Sequence, residues 1–254
     1  MKIKENKMKN VVTMSNIHKR YDSQQIETHA LQGVSLEINQ GEFVAITGPS
    51  GCGKSTLLSI MGLMDSASEG DYQLANIATN GLKVDQRTQI RNEHIGYVFQ
   101  SFNLIDSLTV FENVALPLEH RGCKKVEIKQ RVEEVLTQVD MLHRQHYRPN
   151  QLSGGQQQRI AIARALVGKP DLILVDEPTG NLDSKNGDQV MSLLEQLNKN
   201  GSTIVMVTHD SRYSRCASRQ IQLLDGQIVS EINTDLNDAQ QTGSENEKSL
   251  QGVA

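Results

Sequence analysis

The sequence predicts an α/β fold built on a mostly parallel sheet. Short apolar runs alternate along the chain with segments whose apolar residues recur at helical spacing, which is the pattern of βαβ units. The runs at 172–175 and 204–207 are continuously apolar, as expected for strands covered on both faces. A glycine-rich turn at 48–53 joins an apolar run to a helical segment, and a turn in that position favours phosphate binding.

The strands and helices follow from the same patterns. We expect strands of the parallel sheet at 43–46, 95–99, 172–175 and 204–207. Asp225-Gly226, between 221–224 and 227–229, predicts a hairpin at the end of the sheet. Two helices are expected in this core. One covers 57–63, directly after the glycine-rich turn, and the other connects the strands at 172–175 and 204–207. This second helix carries its apolar residues at Val190, Leu193, Leu194 and Leu197.

A long amphipathic helix is expected in the middle of the chain. Its apolar residues recur at helical spacing and are Val126, Val132, Val135, Val139 and Leu142. We predict a flexible N-terminus at 1–10, a folded domain at 11–232 with a helical subdomain at about 101–163 and an antiparallel β edge, and a disordered polar tail at 233–254.

Composition excludes several classes of protein. The chain has 254 residues, 37% hydrophobic and 22% charged, with a formal net charge of −4, so a dedicated nucleic-acid binder is disfavoured. No apolar run approaches the roughly 18 residues of a membrane-spanning helix. The basic N-terminus lacks the apolar segment of a secretory signal. The three scattered cysteines favour reduced thiols in the cytosol. Any membrane role is therefore expected to come through a partner.

Residues 48–56, GPSGCGKST, match the phosphate loop of nucleotide-binding proteins and lie between a predicted strand and a predicted helix. Backbone N–H groups and the positive end of the helix would face the phosphates, with Lys54 between the β- and γ-phosphates. Ser55 is placed to coordinate Mg²⁺. The candidate nucleotide-binding residues of the loop are Ser50, Gly51, Cys52, Gly53, Lys54, Ser55 and Thr56.

Cys52 lies inside this loop, at a position with no side-chain role in phosphate binding. We predict that bulky thiol reagents attached to Cys52 block ATP binding by steric obstruction. Full ATP binding after complete modification of Cys52 would contradict this.

Paired acids follow the apolar run at 172–175. A buried strand that ends there delivers Asp176 to the Mg²⁺ shell and Glu177 to the water that attacks the γ-phosphate. His209 follows the strand 204–207 and Gln100 follows the strand 95–99. All four residues are expected at the carboxyl edge of the sheet, where α/β proteins bind ligands.

Ser153, Gly154, Gly155 and Gln156 open another predicted helix, with Ser153 as the natural N-cap. A capped helix with two glycines at its start is a second anion site. One subunit has no evident use for two such sites. In a head-to-tail dimer, each copy could close this turn onto the ATP held by the other copy's Lys54 loop.

This set of motifs resembles that of ABC-transporter ATP-binding subunits over about residues 11–232. The matches are GPSGCGKST (48–56) to the Walker A loop, Gln100 to the Q-loop, LSGGQ (152–156) to the signature, LILVDEP (172–178) to Walker B, Asp183 to the D-loop and His209 to the switch histidine. The resemblance implies an aromatic stack of Tyr21 on adenine, Glu177 as catalytic base and a contact of His209 with the γ-phosphate. It also implies Mg²⁺ held by Ser55, Gln100 and Asp176, and two ATPs between two subunits.

Within that family the chain is most similar to the macrolide-exporter and lipoprotein-releasing group. The similar stretches are HALQGVS (29–35), MGLMD (61–65), GYVFQSFNL (96–104) and ENVALPL (112–118). This resemblance implies a permease with few spanning helices, here on a separate polypeptide, with the chain peripheral on the inner face of the membrane. Asn76 stands where relatives commonly have glycine, but asparagine tolerates a left-handed backbone, so we expect the turn to be retained.

Other functions remain open at this point. DNA-maintenance ATPases interpose a long coiled-coil arm between the loop and the signature, whereas Lys54 and Ser153 are separated here by predicted strands and helices. Ribosome-acting relatives usually carry two cassettes. A complex that pulls on a membrane partner to control cell-wall hydrolases, or an importer, would share this ATPase. The substrate and the partner are not encoded in these motifs.

Overall fold

A computed structural model of the chain describes residues 9–23 and 26–234, without the side chains of 22, 23, 26 and 27. The predicted polar tail after residue 234 and most of the predicted flexible N-terminus lie outside these residues. None of the helices in the described ranges is long and apolar enough to cross a bilayer.

The larger sheet has six strands in the order β10-β9-β3-β8-β7-β6. These strands are β3 (Phe43–Thr47), β6 (Ile95–Val98), β7 (Leu172–Asp176), β8 (Ile204–Val207), β9 (Arg219–Leu224) and β10 (Gln227–Asn233). All pairs are parallel except β9 and β10, which form the predicted hairpin around Asp225-Gly226. The carboxyl ends of five parallel strands therefore meet at one edge.

The smaller sheet is antiparallel, in the order β2-β1-β4-β5. It contains β1 (Asn10–Ser23), β2 (Ile26–Asn39), β4 (Glu69–Leu74) and β5 (Ile77–Ala78). Ala75 and Asn76 form the turn between β4 and β5 with φ of 49° and 67°. The expectation that Asn76 adopts a left-handed backbone is therefore confirmed.

Seven α-helices complete the described fold. They are α1 (Lys54–Met61), α2 (Val84–His94), α3 (Val110–His120), α4 (Lys125–Gln138), α5 (Gly154–Leu166), α6 (Ser184–Lys199) and α7 (Ser211–Ser214). Two short 3₁₀ turns, Leu142–Arg144 and Pro149–Gln151, lie between α4 and α5. The α/β class that the sequence predicts is confirmed.

The predicted helix at 126–142 is shorter in the structure, and one of its predicted core residues is exposed. Helix α4 ends at Gln138, and Leu142 belongs to the following 3₁₀ turn. Val126 is 81% exposed, whereas Ile128, Val132 and Leu136 face the core. The prediction was wrong at Val126, which lies two residues, or about 200° of helix rotation, away from Ile128. The other four predicted residues, Val132, Val135, Val139 and Leu142, lie on the core side together with Ile128.

The six-stranded sheet separates two hydrophobic cores. Successive side chains of a strand point to opposite faces, so Phe43 and Ala45 join one core while Val44 and Ile46 join the other. Helices α3 to α6 cover the first face. Helix α1 and the antiparallel sheet cover the second. With both faces covered, the loops at the carboxyl edge are left as the accessible side of the sheet.

Candidate nucleotide-binding site

The loop between β3 and α1 requires glycine at its two ends. Gly48 and Gly53 have φ of 149° and 103°. A Cβ on Gly48 would overlap the carbonyl oxygen of Leu223, and one on Gly53 would overlap that of Ala30. The loop is fastened from behind, since Gly226 in the β9–β10 turn donates its N–H to the Cys52 carbonyl at 3.0 Å. The backbone therefore takes one fixed course over residues 48–53.

Lys54 folds back over this loop. Its Nζ donates to the carbonyl oxygens of Gly48 at 2.8 Å and Pro49 at 2.7 Å. Ser50, Gly51 and Ser55 are exposed, and Gly53, Lys54 and Thr56 are half-buried, at the start of α1. A cation and a helix N-terminus thus share one concave turn, which is the chemistry that binds phosphate.

Cys52, whose modification we predict to block ATP binding, is buried in the structure. Its side chain is 3% exposed and belongs to the hydrophobic core beneath the loop. A Cβ on Gly48 would lie 2.7 Å from its Sγ, so the thiol points against the loop backbone. The loop's turn directs this side chain inward, and a bulky reagent in solution therefore cannot reach it while the loop is folded.

Asp176 and Glu177 lie at the carboxyl end of β7, beside this loop. Burial raises the pKa of Asp176, and the negative charge of Glu177 raises it further while Lys54 lowers it. Glu177 has a left-handed backbone with φ of 44°, and its N–H donates to the Val207 carbonyl at 3.0 Å. The β7–β8 pairing therefore extends one residue past Asp176 and turns the Glu177 side chain toward the next strand.

Glu177 and His209 are in direct contact. Oε1 of Glu177 lies 2.8 Å from Nδ1 of His209, which follows β8. The side chain of Glu177 is 15% exposed and that of His209 is 74% exposed. An acid and a histidine at this edge can hold a water molecule or a proton between the loop and solvent.

Gln100 lies across the same edge, after β6. A Cβ on Gly180 would lie 2.6 Å from its Nε2, and Asn181 donates to its backbone carbonyl at 3.0 Å. Phe102 and Asn103 follow Gln100 closely in the chain. Arg164 of α5 donates to their carbonyl oxygens, at 2.8 Å and 2.5 Å. The Gln100 segment is thereby tied both to the loop after Glu177 and to helix α5.

The turn Ser153–Gln156 begins α5 as predicted. Ser153 accepts a hydrogen bond from the Gln156 N–H at 3.4 Å, and its own N–H donates to the Gln156 side chain at 3.0 Å. Gly154 faces Leu182 and Phe102, and Gly155 faces Asn186. In the part of the chain that the structure describes, no hydrogen bond joins this turn to the Lys54 loop.

Asp183 caps helix α6 and shares a partner with the Ser153 turn. Its carboxylate accepts from the N–H of Asn186 at 2.9 Å and from the Asn186 side chain at 2.6 Å. These two hydrogen bonds lower the pKa of Asp183. Because Asn186 also packs against Gly155, the cap fixes the distance between α5 and α6.

Tyr21 lies apart from the parallel sheet, near the end of β1. Its ring is 44% exposed, its hydroxyl donates to Asp65 at 3.0 Å, and Lys19 lies 4.8 Å from the ring centroid. Asp65 follows α1, so the hydroxyl is tethered to the far end of the helix that the phosphate loop begins. Tyr21 is thus an exposed aromatic residue whose hydroxyl is held in place by Asp65.

The residues fit a Mg²⁺ ion that arrives with a nucleotide. Among residues 9–23 and 26–234 no group of three or more His, Cys, Asp or Glu side chains could hold a metal by itself. Magnesium commonly binds through one or two carboxylates together with substrate phosphates, and Asp176 with the hydroxyl of Ser55 provides such a partial set. The raised pKa of Asp176 shows that its negative charge is only partly compensated by the protein.

Three residues near the site were missed by the sequence analysis: Gln158, Arg164 and Asn186. Gln158 is fully buried although it lies on the otherwise apolar face of α5. A glutamine three residues after Gly155 in that face is a usable signal, because buried polar side chains need partners. Arg164 and Asn186 act on backbone and glycine neighbours, for which the sequence offers no pattern.

Comparison with known proteins identifies the family. The ABC transporter family pattern matches residues 31–180. An uncharacterized ABC transporter ATP-binding protein of Methanocaldococcus jannaschii, MJ0796, is 48% identical over 226 residues, which are 87% of this chain and 96% of that protein. The macrolide export ATP-binding/permease protein MacB of Pectobacterium atrosepticum is 43% identical over 224 residues, which are 88% of this chain and 34% of MacB. This chain thus spans about a third of the length of such relatives.

A solved structure agrees with the sequence comparisons. The dimeric post-hydrolysis state of the ATP-binding cassette MJ0796, bound to ADP and Pi, superposes with a TM-score of 0.80 at 46% identity and covers 88% of this chain and 98% of that chain. The resemblance drawn from the motifs, including the likeness to the macrolide-exporter group, is therefore confirmed. The chain belongs to the ABC transporter family, as one of its ATP-hydrolysing cassettes.

Proposed function

We propose that this cassette is the motor of an exporter-type transporter, driving export or membrane extraction of a substrate through a permease on a separate polypeptide. The observation that carries this is the 43% identity to the ATP-binding part of a macrolide export protein. A cassette on its own chain is supported by MJ0796 and by YvrO of Bacillus subtilis, of which the aligned regions cover 96% and 100%. In this proposal the chain lies at the inner face of the membrane.

The site residues divide the reaction among them. Lys54 and the N–H groups of residues 50–56 bind the phosphates of ATP, and Tyr21 stacks on the adenine. Ser55, Asp176 and Gln100 hold Mg²⁺, which neutralises phosphate charge when bound. Glu177 accepts the proton of the attacking water, and His209 contacts the γ-phosphate. The contact of Glu177 with His209 at 2.8 Å supports a shared role for these two side chains.

Two copies complete each site. The Ser153–Gln156 turn is a capped helix N-terminus whose N–H groups suit an anion, yet no hydrogen bond within the described residues joins it to the Lys54 loop. In a head-to-tail pair, the turn of one copy and its Asp183 would face the ATP of the other copy. The dimeric form of MJ0796 supports this arrangement.

A groove beside the Gln100 segment supports a membrane partner. A cavity of about 890 Å³ lies between α2, β6, α3 and α5, and Phe99 and Asn103 line it next to Gln100. Movement of a permease segment seated there would reach Gln100 through Asn103, whose carbonyl is held by Arg164.

The decisive experiment is to trap the closed dimer and identify its membrane partner. Glu177→Gln should retain ATP binding while the rate of hydrolysis falls by roughly 100-fold or more, the usual contribution of a general base. We would express this variant in its own cells with ATP present, solubilise the membranes gently and identify the proteins that co-purify. Lys54→Ala, which loses the phosphate charge partner, is the matched control and should recover the partner poorly.

The outcomes separate the alternatives. A partner with few spanning helices and a large outer domain supports the exporter assignment, and its outer domain would distinguish export from control of wall hydrolases. A permease with many spanning helices would indicate an importer. Recovery of ribosomes or DNA without a membrane protein would contradict the transport assignment and leave the ATPase intact.

A further inference from the structure

Gln158 is a fully buried glutamine on the second turn of helix α5. Its Nε2 donates to the carbonyl oxygen of Pro178 at 3.0 Å. Its Oε1 has no hydrogen-bond partner among the described residues. Burying an amide whose oxygen has no hydrogen-bond partner lowers the stability of the fold. The hydrogen bond to Pro178 is therefore the contact for which we seek a functional explanation.

The orientation of this amide is fixed by its partner. A proline carbonyl can only accept a hydrogen bond, so only the NH₂ group of Gln158 can face Pro178. Exchanging the two ends of the amide would place oxygen against oxygen. The contact is therefore a directed one, from helix α5 to the peptide that follows Pro178.

That peptide comes directly after Glu177. Glu177 holds a left-handed backbone with φ of 44°, which is unfavourable for a residue with a side chain. Two backbone hydrogen bonds hold it in place, from its own N–H to Val207 and from the Gly180 N–H to its carbonyl. Pro178 has no N–H to contribute, so its carbonyl is the next point at which the segment can be held, and Gln158 occupies it.

The same face of α5 carries the Ser153 turn. Gly155 and Gln158 are three residues apart and so lie on one side of the helix. Gly155 packs on Asn186, and Gln158 reaches Pro178, at the two ends of the segment 178–186. A shift or rotation of the first turns of α5 therefore changes the position of the Pro178 carbonyl and, through it, the backbone of Glu177.

We infer that Gln158 is a positioning residue that links the N-terminal turn of α5 to Glu177 in the same subunit. The inference rests on the proposed role of Glu177 as catalytic base. Since the Ser153 turn faces the partner's ATP in the proposed dimer, Gln158 connects the occupancy of one site with the readiness of the base in the other. Because its side chain is fully buried, it acts through the Pro178 carbonyl.

Two substitutions test the direction of the bond. Gln158→Met keeps the length of the side chain and removes the donor, and should lower kcat on the order of 10-fold while KM for ATP stays within about 2-fold. Gln158→Glu keeps the shape, and its buried carboxyl should have a raised pKa. When protonated it can donate to Pro178, so the kcat of Gln158→Glu relative to wild type should rise as the pH falls from 8.5 to 6.5.

A matched control separates positioning from stability. Thr203 is buried at the opposite edge of the sheet, where its Oγ1 accepts from the Gly41 N–H at 3.0 Å. Thr203→Val also removes one buried bond between side chain and backbone and should leave kcat unchanged. Thermal melts of all variants, without nucleotide, give the stability against which kcat is compared.

The other possible results distinguish an error about Gln158 from an error about Glu177. Wild-type kcat in Gln158→Met, or a flat pH ratio for Gln158→Glu, would overturn the inference. An equal fall of kcat in Thr203→Val and Gln158→Met would also overturn it. If Glu177→Gln hydrolyses ATP at the wild-type rate, the role of Glu177 itself fails. If that variant is inactive while Gln158→Met is normal, only the link through Gln158 is wrong.

Discussion

Asp176 is held in an environment that disfavours its charge. Burial at the end of β7 and the neighbouring Glu177 both raise its pKa, and Lys54 only partly offsets them. A carboxyl group whose pKa is higher in the folded than in the unfolded chain weakens the fold when it ionises. The same feature suits a residue that is to meet a divalent cation, because the cation removes the penalty.

Asp176→Asn should therefore stabilise the protein in the absence of nucleotide. At neutral pH we expect a small rise in Tm, because the amide carries no charge for burial to penalise. The penalty is fully present above the raised pKa of Asp176 and absent below its usual value of 3.8, so the difference in Tm should shrink as the pH is lowered. Melts from pH 7.5 to 4.5 measure this.

The opposite effect is expected with ligand. Addition of MgATP should raise the Tm of the wild-type protein and raise that of Asp176→Asn much less, because the variant lacks the carboxylate for Mg²⁺. If Asp176→Asn is less stable than the wild-type protein in the absence of nucleotide, the charge of Asp176 does not destabilise the fold and this interpretation is wrong.

Single residues were predictable from sequence where a motif specifies backbone chemistry. Lys54, Asp176, Glu177 and His209 were placed at one edge because strand ends in a parallel sheet must meet there. The burial of Cys52 was not predicted, since a residue's position in a loop does not tell which way its side chain turns. Gln158 was missed, because its partner is a carbonyl 20 residues away.

At the scale of elements, β6 and α5 meet at a glycine. A Cβ on Gly96 would overlap the backbone carbonyl of Ala165, and neither β6 nor α5 can withdraw because each packs on a fully formed core. This contact sets the spacing between the sheet and the helix that carries the Ser153 turn and Gln158.

Gly96→Ala should be markedly destabilising, by roughly 2 to 3 kcal/mol as expected for an overpacked core. Gly41→Ala is the matched control, because Gly41 has φ of 80° but a Cβ there would meet nothing within 4 Å. It should cost only about 1 kcal/mol of backbone strain. Urea unfolding measures both, and equal losses would show that the β6–α5 contact yields easily.

The positions of most strands could be predicted from the sequence. The apolar runs predicted β3, β7 and β8, and Asp225-Gly226 predicted the β9–β10 hairpin. The core face of α4 was predicted at Val132, Val135, Val139 and Leu142 but not at its start, where Ile128 rather than Val126 continues the helical spacing. The order of strands in the sheet could not be read either, because pairing of β3 with β8 and β9 depends on residues far apart in the chain.

At the scale of the whole molecule, the proposed dimer makes each ATP site from two subunits. Lys54 and Ser153 of one chain then belong to different sites. A pair of variants can be chosen so that each is inactive alone and their mixture contains one intact site.

Lys54→Ala and Ser153→Arg should each abolish hydrolysis, because each damages both sites of its own homodimer. Mixed at equal amounts, half of the dimers are heterodimers with one intact site, so hydrolysis should return to at most about a quarter of the wild-type rate, as head-to-tail symmetry requires. The inferred link through Gln158 would lower this value, because the base of the intact site then depends on the damaged site. The measurement is phosphate release before and after mixing. Absence of any recovery, with both variants folded, would contradict sites shared between subunits.

The position of β3 between β8 and β9 has a consequence for synthesis of the chain. The ribosome makes β3 and the loop that follows it well before β8 and β9, the two strands that lie on either side of β3 in the sheet. At about 5 to 20 residues per second, roughly ten to thirty-five seconds pass on the ribosome before β9 exists. During that interval β3 lacks the strands that pair with its two edges. The loop at 48–53 also lacks the hydrogen bond from Gly226 to the Cys52 carbonyl. We therefore expect the nascent chain to bind nucleotide only after β9 and the β9–β10 turn have been made.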